Sequence, residues 1–223
     1  MKLVLPGLIL AVFAVGCSSN QPPVETPFPP QKITFNSSEI GRVPRDFTTA
    51  LTGGGGPVSW VVREAPDAPV DQPVLVQESA EVVNYRFPLC VYDKAVARDV
   101  AVEVKFKPIT GTLDQAGGVV LRYTPGNYYI ARANALENNI ILFKTVNGVR
   151  SHVKEVSVPV SRDLWHTLRF EAKGPRLKII FDGKTVLKKT DRTFTGPGRV
   201  GMWTKADSVT AFTDFKVEPA PAD

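Results

Sequence analysis

The chain has 223 residues, 43% of them hydrophobic, with 27 basic and 22 acidic side chains and a formal charge of +5. That is enough apolar material for a full core and too much for a disordered chain. The basic balance does not make a nucleic-acid binder, because the Lys and Arg residues are scattered among acids instead of clustered in a stripe.

Met1 and Lys2 precede an apolar run over residues 3–15, broken only by Pro6 and Gly7. A positive start followed by such a run predicts a secretory signal peptide. The run is too short for a membrane-spanning helix, which needs about 20 apolar residues. It ends in Ala14-Val15-Gly16-Cys17. That ending resembles the bacterial lipoprotein lipobox, with Ala14 where the family prefers Leu. The resemblance implies a leader over residues 1–16 and a Cys17 that carries acyl chains, each buried CH₂ contributing about 0.8 kcal/mol to anchoring. Ser18, not Asp, follows the cysteine. By the same resemblance this favours the outer membrane, so the expected location is the cell envelope, lipid-anchored, facing periplasm or exterior. Residues 17–31 contain Pro22, Pro23, Pro27, Pro29 and Pro30 among Ser, Asn and Gln, a composition that stays extended. They are expected to be a tether to one domain over residues 32–219, a length that suits a single β unit. Residues 220–223 are expected to be a disordered tail.

Residues 33–35, 60–64, 74–77 and 82–87 are the first expected strands. Gly53 to Gly56 is a four-glycine run followed by Pro57. It lacks the Lys-Ser/Thr ending and following helix of a phosphate-cradling loop, so a flexible loop is expected. With Cys17 lipidated, Cys90 has no partner, and its apolar surroundings predict a buried thiol that acts as a small hydrophobe. Residues 99–108 alternate, with Val100, Val102, Val104 and Phe106 on one face and Glu103, Lys105 and Lys107 on the other, which predicts a half-buried strand. Leu168 and Phe170, then Leu177, Ile179 and Phe181, repeat the pattern. Asn147-Gly148 and Asp182-Gly183 are two-residue hairpin signals. Further strands are expected over residues 199–204 and 209–217. About a dozen short strands without helical periodicity predict an all-β sandwich or jelly roll of antiparallel sheets.

The C-terminal half carries a more specific pattern. Leu164-Trp165-His166-Thr167-Leu168-Arg169-Phe170 is followed by Gly174, by residues 177–184, by Gly198-Arg199-Val200-Gly201-Met202-Trp203 and by Phe212-Thr213-Asp214-Phe215. This succession resembles laminin-G-like and concanavalin A-like jelly rolls, and is most similar to the 3-keto-disaccharide hydrolase-like domain family. The resemblance implies a concanavalin A-like sandwich with one concave sheet, and is weak for function because its motifs are turns and core positions. Strand parity places Tyr128, Ile130, Arg132 and Asn134 on one face and Tyr129, Ala131 and Ala133 on the other. Trp203 and Lys205 lie opposite the core-facing Val200 and Met202. Arg122 ends a small-residue strand after Gly117 and Gly118. Aromatic rings pack on pyranose C–H faces and Arg or Asn groups bond paired hydroxyls. Arg122, Tyr128, Arg132, Asn134, Trp203 and Lys205 are therefore the candidate ligand-binding residues. Arg122, Arg132 and Trp203 are expected to approach one another, with the indole partly exposed.

No catalytic constellation stands out. Two carboxyls must flank a glycosidic bond, and the E-x-D-x-x-E triplet of concanavalin A-like glucanases is absent. Glu103, Glu137 and Glu171 are lone acids. His152 and His166 are the only histidines, and His166 sits in a strand-start motif that implies a structural role. No metal motif occurs; Asp114, Asp207 and Asp214 are the acids placed where calcium could bind in this fold. No cofactor is expected. The leading expectation is a monomeric, non-catalytic module for a glycan or other polyhydroxylated ligand, held at the membrane by its lipid and without nucleic-acid partners. The alternatives are a keto-sugar glycosidase and a structural or protein-binding envelope lipoprotein.

Overall fold

The computed structural model describes Glu25 and residues 28–222, so the leader and Cys17 lie outside the described residues. Among the described residues no helix is long and apolar enough to cross a membrane. The described residues form fifteen strands in order: β1 (Gln31–Ile33), β2 (Phe47–Gly53), β3 (Trp60–Arg63), β4 (Val74–Gln77), β5 (Arg86–Ala97), β6 (Val100–Thr110), β7 (Ala116–Thr124), β8 (Asn127–Asn134), β9 (Asn139–Val146), β10 (Val149–Ser157), β11 (His166–Lys173), β12 (Arg176–Phe181), β13 (Lys184–Thr190), β14 (Gly198–Trp203) and β15 (Val209–Pro219). They form two antiparallel sheets. Sheet A has the order β13-β12-β11-β6-β15-β4-β3, with β1 added to β15; sheet B has the order β10-β9-β8-β7-β14-β5-β2. This is the all-β jelly-roll sandwich the alternation predicts.

The main core lies between the sheets. Val100, Val102, Val104 and Phe106 of β6 are fully buried, as are Leu168 and Phe170 of β11, and they meet Met202, Leu142, Ala131 and Cys90 from sheet B. Each such side chain contributes about 1.5–3 kcal/mol by leaving water. Burial pushes the Cys90 thiol well up, as expected of a core cysteine. Both hairpin signals act as read: Asn147 and Gly148 have φ of 49° and 81°, and Asp182 and Gly183 of 45° and 77°.

The two outer faces differ. Sheet A is covered by ion pairs such as Lys178–Glu171 at 2.6 Å and Lys216–Glu103 at 2.9 Å. Sheet B carries a second apolar cluster on its outer face, including Phe87, Leu89, Val91, Tyr128, Ile130, Phe143 and Trp203. β8 has the predicted parity, with Tyr128 and Ile130 in this outer cluster and Tyr129, Ala131 and Ala133 in the core.

The glycine run is clamped, which corrects the expectation of a flexible loop. Gly54 N–H donates to Tyr85 O at 2.8 Å and Gly56 N–H to Glu81 Oε2 at 2.7 Å. The fully buried Arg86 donates to Pro57 O at 3.1 Å. Gly53 has φ of 89°, and a Cβ there would stand 2.0 Å from Tyr85 O. Glycine is needed for a tight fit, not for freedom.

The sandwich has two distinct ends. Val100 pairs with Pro219, and Thr110 with the start of β15 at Val209. The chain enters at the first of these ends: Gln31 pairs with Val217, and Arg98 N–H donates to Glu25 Oε1 at 3.1 Å. The β6–β7, β8–β9 and β14–β15 turns crowd the other end, where Ala135 N–H donates to Gln115 O at 2.9 Å and Ala116 N–H to Ser208 Oγ at 3.0 Å.

Candidate functional site on the outer face of sheet B

Register assembles the site. Trp203 pairs with Gly118, Gly118 with Arg132, and Arg132 with Ile141, so side chains in this row share a face. Gly118 lets the indole lie across the sheet: a Cβ there would sit 3.3 Å from Trp203 Cε3 and 2.7 Å from Ala131 O. Phe87 stacks on Trp203 with centroids 5.5 Å apart and planes 19° apart.

The sheet curls over this face. β10 is the first strand of the order and β5 the sixth, a separation of about 24 Å in a flat sheet at about 4.8 Å per strand. Yet Tyr85, just before β5, bonds the β9–β10 hairpin: its hydroxyl donates to Gly148 O at 3.2 Å and accepts from Arg150 N–H at 2.5 Å. The resulting bowl has an aromatic floor. Arg150 reaches over that floor, with Cζ 4.2 Å from the Phe143 centroid, 4.4 Å from Phe87 and 5.9 Å from Trp203.

A charged network borders the floor. Arg132 is 2% exposed, and its Nη2 donates to Glu137 Oε2 and Asn139 Oδ1, both at 2.6 Å. Its Nη1 lies 3.6 Å from Asp114 Oδ1. Asn134 Nδ2 donates to the same oxygen at 2.6 Å, and Lys205 Nζ holds Asp114 Oδ2. Burial pushes the Asp114 carboxyl up, with Lys205 and Arg132 opposing. Burial also pushes Glu137 up, but the bond and charge of Arg132 outweigh it and hold that carboxyl below its usual range. The loop bearing Asp114 is itself pinned: the Asp207 carboxylate accepts the N–H groups of Thr112, Leu113 and Asp114 at 2.6, 3.0 and 2.9 Å.

Of the six candidates, Arg132, Asn134, Lys205, Trp203 and Tyr128 share this face or its rim, while Arg122 does not. The expectation that Arg122 joins Arg132 and Trp203 is corrected. A β-bulge between Leu121 and Thr124, with Arg122 at φ 54°, reverses the parity. Tyr123 takes the outer face, and the Arg122 guanidinium bonds Arg98 O, Phe194 O and Gly174 O at 2.8, 2.5 and 2.6 Å, at the chain-entry end. Trp203 is fully buried instead of partly exposed, so the indole is floor and not an open platform. Tyr128 is floor as well, its hydroxyl donating to Thr52 Oγ1 at 2.8 Å. The acids considered for calcium are occupied by nitrogen donors; Asp214 sits among Lys32, Lys105 and Lys216 at 3.0, 3.6 and 3.4 Å. His166 is held between Asp182 Oδ2 at 2.8 Å and Ser161 O at 3.0 Å.

Sequence reasoning missed Arg150, Asn139 and Arg86, and left Glu137 as a lone acid. The polar turn over residues 135–139 was the available signal for Glu137 and Asn139. Arg150 faces Thr145 and Thr145 faces Tyr128, so extending the β8 parity by two strands finds it.

Comparison with known proteins finds the same sandwich fold in other structures. No protein-family model matches the chain. A segment of 76 residues is 32% identical to levanase from Bacillus subtilis (strain 168), covering 34% of this chain and 11% of the levanase. The carbohydrate-binding module CBM66 from Bacillus subtilis superposes with a TM-score of 0.62 at 21% identity, over 78% of this chain and 95% of the module. Bacillus licheniformis β-glucanase superposes with a TM-score of 0.55 at 12% identity, over 82% and 96%. At these identities the structural likenesses are likenesses of fold.

Proposed function

We propose that this protein is a non-catalytic, monomeric carbohydrate-binding module that takes its glycan in the bowl of sheet B. The observation that carries this is a curled sheet whose outer face holds an aromatic floor bordered by the fixed Arg132–Glu137–Asn139 and Asp114–Lys205–Asn134 network. Preorganised, mostly buried donors and acceptors around apolar rings are what a polyhydroxylated ring needs for orientation and affinity. The fold shared with a carbohydrate-binding module agrees with this reading. Affinity electrophoresis through gels containing soluble polysaccharides tests it. At least one glycan retards the wild type and fails to retard Arg132→Gln or Glu137→Gln; a folded wild type retarded by none overturns the reading.

The keto-sugar hydrolase alternative requires two carboxyls that reach the bond. Asp114 and Glu137 flank Arg132 with carboxyls pushed in opposite directions, as acid–base pairs often are. Both Asp114 oxygens are engaged by Asn134 and Lys205, however, and the side chain is fully buried. It has no free face toward a substrate, and binding is the better reading. Turnover of a 3-keto-disaccharide that disappears in Glu137→Gln would reverse that preference.

The module is further proposed to hang from the cell envelope by acyl chains on Cys17, on the outer membrane facing periplasm or exterior, with residues 17–31 as tether. The leader and the lipobox resemblance support this. Cys17→Ser then releases the chain from the membrane fraction and removes the acyl mass; unchanged partition would refute the anchor.

A further inference from the structure

Among the described residues, Arg150 is the guanidinium of the bowl that rests on aromatic rings with no carboxylate at ion-pair distance. Arg132 has Glu137 and Asp114, and Lys205 has Asp114. Glu155 is taken by Asn139 Nδ2 at 2.7 Å and lies 3.4 Å from His152 Nε2. Among the described residues Arg150 has no ion-pair partner, and its Nη1 is buried without a hydrogen bond. Arg132 Nε is likewise buried and unpartnered. Both guanidinium groups lie over one ring, with Cζ atoms 5.5 and 4.2 Å from the Phe143 centroid. Burial lowers the proton affinity of Arg150, and the charge of Arg132 adds to that. Two cations over one ring therefore repel across a partly desolvated gap, with an unused N–H on each side.

A flexible surface arginine would relax by swinging into water. Arg150 is held from doing so: Phe87 and Phe143 contact its plane, and Tyr85 fixes its backbone N–H. A guanidinium held by aromatic rings is a planar fork of donors with little entropy left to lose, and its geometric complement is a carboxylate. A neutral hydroxyl could satisfy one N–H but would leave the charge unanswered.

We propose that Arg150, assisted by Arg132, makes the bowl selective for saccharides that carry a carboxylate, with a uronic acid as the recognised unit. This rests on the glycan-binding reading and narrows it to a ligand class. In the bound state the carboxylate bonds Arg150 in the plane of its fork, the sugar ring lies along the rim near Glu137 and Asn139, and the charge of Arg132 adds to the attraction.

The test compares a matched pair on the full chain by calorimetry at low salt: a galacturonic-acid oligomer and the same oligomer as its methyl ester. The pair differs in charge and keeps its hydroxyl pattern. The acid is expected to bind at least tenfold more tightly than the ester, about 1.4 kcal/mol. Arg150→Gln brings the ratio to near one, and Arg150→Lys, which keeps charge without the fork, retains part of it. Because β10 is an edge strand, these variants should fold, and a native-like circular dichroism spectrum checks that they do. Equal affinity for acid and ester, or a preference that survives Arg150→Gln, overturns the proposal. Binding of neutral glycans in place of the acid overturns it while leaving the glycan-binding reading intact. A folded wild type that binds no saccharide removes both.

Discussion

Replacing Asp207 tests how far the architecture of the loops sets the shape of the bowl. Its carboxylate accepts Thr112 N–H at 2.6 Å, Thr112 Oγ1–H at 2.8 Å, Leu113 N–H at 3.0 Å and Asp114 N–H at 2.9 Å. Hydrogen bonds to a charged group contribute about 1.5–3 kcal/mol each, and bonds that share one acceptor do not add fully. The Asp114 amide is buried and cannot turn to water, whereas the Thr112 and Leu113 amides are partly buried. Asp207→Ala is therefore expected to cost about 3 kcal/mol, within a range of about 2–5. Asp207→Asn, which keeps one acceptor oxygen, should cost about half as much. Denaturant unfolding at pH 7 measures both. The acid limb gives a second reading. Burial pushes the Asp207 carboxyl up, but the three backbone N–H groups prevail and hold it below its usual range. Its stabilisation is therefore complete above the unfolded carboxylate value of about 3.9 and is lost as pH falls through the folded value. Asp207→Asn should lose less stability than wild type between pH 5 and pH 2. Glycan affinity should fall as well, because the loop carries Asp114 and so the position of Lys205. An alanine variant within about 1 kcal/mol of wild type, with the usual acid sensitivity, would refute the reasoning.

Three other outcomes are expected. Arg122→Met removes a 2%-exposed guanidinium that bonds Arg98 O, Phe194 O and Gly174 O; thermal unfolding should show a loss of about 3 kcal/mol with glycan retardation unchanged, and a loss of binding in folded protein would return Arg122 to the site. Gly201→Ala would set a Cβ 2.4 Å from Cys90 O and 2.9 Å from Val91 Cα, and denaturant unfolding should show a cost of about 1–3 kcal/mol or more. Tyr85→Phe removes the hydroxyl that bridges Gly148 O and Arg150 N–H; hydrogen exchange of the β9–β10 hairpin should quicken while the β6 and β11 amides keep their protection.

The half-exposed strands of sheet A were legible because one face meets water. β6 alternates between buried and partly exposed residues along much of its length, and period two is visible only where the faces differ. β5 defeats that signal: residues 86–92 are all buried, since one face lies in the core and the other in the outer cluster. Only its first residues were anticipated, and Pro88 disguised the rest. The Thr-rich β2 went unread for want of apolar alternation. On the candidate face, parity carried Arg132, Asn134 and Trp203 to their correct side. It failed at Arg122, where a single residue at positive φ inverts the count. The Asp114–Lys205 and Asp207–Thr112 contacts join loops 91 and 95 residues apart, and no local pattern encodes such pairs. Burial of Trp203 depended on the curl of the sheet, which brings Arg150 over it.

The two ends of the sandwich give the molecule a direction. The first described residues bond the Arg98 end, whereas Asp114, Glu137 and Lys205 lie by the turns at the other. β15 runs between those ends over 11 residues, about 35 Å at strand rise. If the chain is rooted at Cys17, the rim with Asp114, Glu137 and Lys205 stands at the far pole from the lipid surface, and the headgroups do not compete for it. If residues 18–24 then serve as the tether, shortening them lowers the height at which the rim samples its surroundings, while Glu25 and Gln31 stay docked on the sandwich and the rim is unchanged. Reach and affinity become independent properties, one set by a proline-rich stretch and the other by the curl of a sheet.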